Sequence, residues 1–126
     1  MKHASLTLNH SKRKEDMTYA GLDIGTSGCK VAVYDLEGNV IIQASRKYNA
    51  QGEDGICEIN PMEVLSHIKS VLKEVANNCP KRIEAIAIAS LGESVVILDD
   101  NDYCLINSMV VGDQRGIEEV KQLNAV

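Results

Sequence analysis

The chain has 126 residues, one domain's length, and its 44% hydrophobic and 25% charged residues are the mix of a folded protein, which excludes wholesale disorder. A formal charge of −5 argues against nucleic acid as the main partner, since a phosphate backbone needs a basic face. No run reaches the ~18 apolar residues of a membrane helix, so no membrane partner is expected. With no Trp or Phe and only four Tyr, the core has to be built from Val, Ile, Leu, Ala and Met.

Residues 1–16 are polar and aperiodic, lack the apolar stretch of a secretory signal, and are expected to be a disordered leader. Lys12-Arg13-Lys14 is followed at once by Glu15-Asp16 and reads as a solvated tail, and Met17 is a second candidate start. Residues 18–24 and Cys29–Leu36 form two apolar strands around the turn Gly25-Thr26-Ser27-Gly28. Glu37-Gly38-Asn39 turns the chain into a third strand, Val40–Tyr48. Such short connections require antiparallel pairing. A polar loop, Asn49–Ile59, follows.

A helix then starts with Asn60 as N-cap, Pro61 in the first turn and Glu63 at capping-box spacing. Val64, Leu65, Ile68, Val71, Leu72 and Val75 form its apolar stripe, and Asn77-Asn78-Cys79-Pro80 ends it. Ile83–Ala89 is nearly all apolar, which predicts a strand covered on both faces and parallel to a neighbour after the helical crossover. Ser90–Ser94 leaves its carboxyl end. Val95–Leu98 and Tyr103–Ile106 form a hairpin, Met109–Gly112 is extended, Asp113–Gly116 turns, and a helix begins at Ile117. An ending at Val126 reads as a truncation. Three antiparallel strands, a helix, a parallel strand and an inserted hairpin describe an α/β chain, part of a ribonuclease H-like fold of the actin/hexokinase ATPase type.

The richest chemistry lies in residues 20–35. One strand delivers Asp23 into a turn of small residues whose backbone N–H groups can close on an anion, with hydroxyls from Thr26 and Ser27 and a positive charge from Lys30. A carboxylate beside a phosphate makes sense if a divalent cation stands between them. The reading is therefore a strand–turn–strand phosphate loop for a metal-nucleotide, the alternative being ordinary turn chemistry. It is neither a Walker loop nor a dinucleotide turn, because no helix follows directly. Cys29, Cys57, Cys79 and Cys104 are scattered without metal spacing, so reduced thiols in a cytoplasmic protein are expected.

Three segments resemble the amino-terminal part of the FGGY family of carbohydrate kinases, which includes xylulokinase, gluconokinase and glycerol kinase. Gly-Leu-Asp-Ile-Gly-Thr-Ser-Gly-Cys-Lys, residues 21–30, is similar to the family's first phosphate motif. Gly55–Glu63 resembles its Gly-Trp-x-Glu-Gln-Asp-Pro-x-Glu stretch, with Ile56 and Asn60 replacing Trp and Asp. Ser-Leu-Gly-Glu-Ser at 90–94 resembles its sugar-contacting turn, and Val-Gly-Asp-Gln-Arg at 111–115 its Trp-x-Asp-x-Arg motif with the Trp missing. The Gln-Met-His turn of xylulokinases and the Gln-Arg-Glu of glycerol kinases are absent, although Glu93 matches the latter's Glu.

The resemblance implies ATP and Mg2+ as cofactors and a small-molecule sugar or polyol as partner, with homodimerisation open. Asp23 would hold the metal through water, and Gly25, Thr26, Ser27 and Lys30 would meet phosphate. Glu93, Asp113 and Arg115 would face the substrate; Arg115 could instead fix Asp113, and Asp113 could cap the following helix. The general-base Asp of the family comes from later in the chain, so residues 17–126 would be the truncated first half of the amino-terminal kinase domain, inactive alone. Two other readings are a non-catalytic actin-fold nucleotide-binding scaffold and an ATPase that activates another enzyme. The scattered cysteines disfavour the activator, and the Glu93 and Asp113 segments disfavour the scaffold.

Overall fold

The computed structural model describes residues 17–125, so the expected leader lies outside the described residues. Strands β1 (Met17–Ile24), β2 (Gly28–Tyr34) and β3 (Val40–Lys47) form an antiparallel meander. A polar loop leads through the two-residue β4 (Glu58–Ile59) into α1 (Pro61–Asn78), then into β5 (Arg82–Ser90). The short β6 (Ser108–Met109) pairs with β4, and α2 (Ile117–Leu123) follows. The main sheet has the order β3-β2-β1-β5, with β5 parallel to β1 as the crossover requires.

Alternation along the strands separates two faces. Ala20, Leu22, Cys29, Val31, Val33 and Ala44 point to one side and are buried against Val64, Val71 and Val75 of α1. Tyr19, Gly21, Asp23, Lys30 and Tyr34 point to the other, which carries no helix among the described residues. The helix starts as its sequence dictates: the Asn60 side chain accepts from the amides of Met62 (2.9 Å) and Glu63 (3.3 Å), and Pro61 occupies the first turn. The carboxylate of Glu63 lies 3.6 Å from His67, one turn on, so only the Asn60 half of the expected box is built.

Three expectations need correction. β5 is open, with Ile86 45% and Ile88 64% exposed, because α1 lies over β2 and β3 and no described element covers β5. The 95–106 hairpin closes only at its tip, with a single bridge between Leu98 and Cys104, since its apolar side chains have no layer to bury against. The 49–59 loop is not wholly irregular: Gln51 and Glu58 exchange two backbone hydrogen bonds of 2.7 and 2.9 Å before β4 meets β6.

Candidate functional site

Asp23 and Lys30 stand directly opposite each other on β1 and β2, on the open face of the sheet. Next to them in register come Gly21 and Ala32, and from β5 Ala87 and Ala89. These small side chains form the floor of a hollow of about 410 Å³ with Asp23 and Lys30 at its end. Among the described residues neither charged group has an ion-pair partner, although both are exposed. Opposite charges left apart on one face, beside a glycine turn, are disposed to receive a ligand carrying both signs.

The turn itself is tight. The amide of Gly25 donates to the carbonyl of Gly28 at 2.9 Å. Gly28 is demanded by space: a Cβ there would sit 2.6 Å from the Arg46 carbonyl oxygen of β3. At Gly25 a Cβ would meet only ordinary contact, 3.5 Å from the Gly28 carbonyl. The fold thus requires one of the two glycines and merely accepts the other. Behind the turn lies Tyr48, 4% exposed, whose hydroxyl donates to the Gly25 carbonyl at 2.7 Å and whose amide donates to the Ser27 carbonyl at 3.2 Å. Its ring stacks on His67 of α1 at 5.9 Å. Burial first, then the Cys29 thiol and the Asp23 carboxylate, push the Tyr48 pKa up. Burial also raises that of Cys29.

Glu93 follows β5 by three residues. Because β5 runs parallel to β1, with Ser90 level with Ile24, the Glu93 turn leaves the sheet at the same end as the Gly25–Gly28 turn. In open α/β sheets, ligands collect at the carboxyl ends of parallel strands. Glu93 is exposed and makes no hydrogen bond or ion pair among the described residues. Its neighbours are anchored: Ser94 donates to the Met109 carbonyl (2.9 Å) and Ser108 to the Val95 carbonyl (2.7 Å).

Asp113 and Arg115 form a separate cluster. The Asp113 carboxylate, 5% exposed, accepts from the Arg115 amide (3.1 Å), Arg115 Nε (2.9 Å), Arg115 Nη2 (2.7 Å) and the Cys57 amide (2.9 Å). Arg115 also reaches Glu58 at 2.6 Å. The guanidinium, then the Cys57 amide, hold the Asp113 carboxyl far below the usual carboxylate range, and Asp113 with Glu58 raises Arg115 further. Arg115 therefore fixes Asp113, one of the two expected arrangements. Asp113 does not cap α2; that position is Gly116, which has no side chain to offer. No bond joins Asp113 to Glu93.

Sequence reasoning passed over Tyr48 and Glu58. Tyr48 was only the end of a strand, though an aromatic at the core-facing register two residues beyond Arg46 was a readable signal. Glu58 was absorbed into a helix-capping segment, and nothing local marks its bond to Arg115, 57 residues away.

A magnesium ion that keeps most of its water and is shared with phosphates needs one or two carboxylates, not a cage. Among the described residues no group of three or more His, Cys, Asp or Glu could hold a metal, while Asp23 is exposed and unpaired. The residues fit the first kind of site only.

Residues 18–126 match the FGGY family of carbohydrate kinases, N-terminal domain. A glycerol kinase of Clostridium perfringens is 29% identical over 103 residues, 79% of this chain and 21% of that kinase. The crystal structure of xylulose kinase from Rhodospirillum rubrum superposes with a TM-score of 0.80 at 28% identity, covering 86% of this chain and 23% of that one. Plasmodium falciparum glycerol kinase, solved with ADP, shares the fold with a TM-score of 0.77 at 24% identity over 86% of this chain and 23% of its own. The chain spans about a fifth of the length of the curated relatives it matches. With the family pattern running from β1 through α2, the chain belongs to the FGGY family of carbohydrate kinases and corresponds to their N-terminal domain.

Proposed function

We propose that this chain supplies the first half of the nucleotide site, and a substrate-facing turn, of an ATP-dependent carbohydrate kinase. The reaction is transfer of the γ-phosphoryl group of ATP to a hydroxyl of a sugar or polyol. The observation that carries it is the unpaired Asp23 carboxylate facing Lys30 beside the Gly25–Gly28 turn, on a sheet face with no covering element among the described residues. Family membership supports the same reading.

Phosphoryl transfer asks a protein mostly to position reactants and offset oxygen charge. Asp23 would hold the nucleotide's magnesium through water, and Thr26 and Ser27 would meet phosphate oxygens with amides and hydroxyls, while Gly25, whose amide is taken by the Gly28 carbonyl, leaves room for the phosphate to approach. Lys30 adds a positive charge on the same face. Magnesium, when bound, neutralises phosphate oxygens. Glu93 accepts hydrogen bonds from substrate hydroxyls; a carboxylate without other partners is suited to this, and rejects analogues lacking those hydroxyls. The carboxylate of Asp113 is already taken by four donors. Its contribution to the substrate side, with Arg115, is to hold the loop. A cytoplasmic location, where thiols stay reduced, goes with this reading.

The test is calorimetric titration of the chain with Mg-ATP, followed by ADP release with a panel of pentuloses, polyols and sugar acids. Weak Mg-ATP binding that Asp23→Ala abolishes, without ADP release by the chain alone, is expected. Undiminished binding by Asp23→Ala removes the metal role. Robust sugar-dependent ADP release by this chain alone overturns the half-site assignment.

A further inference from the structure

We propose that Tyr48 is a positioning residue for the anion-binding turn, and that its hydroxyl, not its ring, does this. The inference rests on the phosphate-turn reading above. The described peptides are trans, so the carbonyl of Gly25 and the amide of Thr26, which share one peptide plane, point in opposite directions. The Gly25 carbonyl is held inward by the Tyr48 hydroxyl at 2.7 Å, on the side of the sheet where Tyr48 stacks on His67. The Thr26 amide is thereby turned away from the helix layer, toward the side on which Asp23 and Lys30 stand. That amide has no hydrogen-bond partner among the described residues.

The second donor of Tyr48 works in the same sense. Its own amide takes the Ser27 carbonyl at 3.2 Å. Two carbonyl oxygens of a four-residue turn are thus engaged from behind by one residue. A carbonyl facing a phosphate would repel it, whereas an amide attracts it. Burial and the Asp23 charge keep the phenol protonated, so it stays a donor across the neutral range. The ring is locked by its stack on His67, whose own partner is Glu63 at 3.6 Å.

The experiment uses the whole chain, ¹⁵N-labelled, with the Thr26 and Ser27 amide signals followed by NMR during titration with Mg-ATP. Tyr48→Phe keeps the ring and removes the hydroxyl; His67→Ala removes the stack and keeps the hydroxyl. Wild-type signals shift saturably. Tyr48→Phe alters the Thr26 signal even without nucleotide and weakens Mg-ATP binding roughly three- to tenfold, the worth of one hydrogen bond. His67→Ala lowers the melting temperature but leaves the Kd at the wild-type value. Wild-type affinity in Tyr48→Phe overturns the inference alone. So does a loss of affinity in both variants that merely follows their loss of stability. Wild-type amides that do not respond to Mg-ATP overturn the phosphate-turn reading and this inference with it.

Discussion

Asp23, Gly25 and Gly28 lie within six residues of one another, yet each answers to a different physical constraint. The Asp23 side chain is exposed and makes no hydrogen bond or ion pair among the described residues. Asp23→Ala should therefore change stability by no more than about 0.5 kcal/mol while abolishing Mg-ATP binding, measurable by thermal melting and calorimetry on one sample. The glycines separate fold from function in the same way. Gly28→Ala forces a Cβ to within 2.6 Å of the Arg46 carbonyl and should cost on the order of 1–3 kcal/mol, read as a lowered denaturation midpoint. Gly25→Ala meets only a 3.5 Å contact, so the midpoint should hold or rise while anion affinity falls. The strand–turn–strand geometry was legible in the sequence, because it is a local pattern of small residues flanked by apolar strands. Which glycine the fold needs was not legible, since the obstacle belongs to β3.

Among the elements, α1 was the most readable and kept its boundaries. Asn60 takes the two amides expected of a cap, and Asn60→Ala should destabilise the chain by about 1 kcal/mol in chemical denaturation. The 111–115 segment, expected to face the substrate, also forms a clasp. Asp113 and Arg115 tie it to Cys57 and Glu58, a link over 56 and 57 residues that no local pattern carries. The clasp has a pH signature. The Asp113 carboxyl titrates below its unfolded value of 3.8, so its stabilising effect is fully present above that pH and drains away as pH falls through the folded value. Asp113→Asn should therefore lower the wild-type melting temperature at neutral pH. The gap should close only in strongly acid solution.

For the whole molecule, the decisive fact is that the described elements bury one face of β1, β2 and β3 and leave β5 open. β5 reads as a doubly covered strand because its composition is that of one, and its exposure here reflects which elements stand beside it, not a weak pattern. Ile86 and Ile88 lie open on β5, and an apolar hollow of about 440 Å³ separates Ile24, Leu65 and Leu91 from the loosely closed hairpin residues Val96 and Leu98. A long apolar edge strand is prone to pair with other chains. Concentration-dependent light scattering by the wild type is expected, and Ile88→Lys should suppress it without lowering the melting temperature.

The spans of two contacts carry a further consequence, for the order in which the molecule is made. The Gly25–Gly28 turn is finished by Tyr48, 23 residues downstream, whereas the parallel pair is tied by Thr18 donating to the Arg82 carbonyl, 64 residues away. Closing a longer loop costs more entropy and comes later. As the chain leaves the ribosome, β1, β2 and β3 can close the turn before β5 has been synthesised. Substitutions in the meander, such as Val31→Ala, should slow refolding, while Ile83→Ala in β5 should mainly hasten unfolding. The Gly25–Gly28 turn should thus be an early product of folding, complete before the sheet it belongs to.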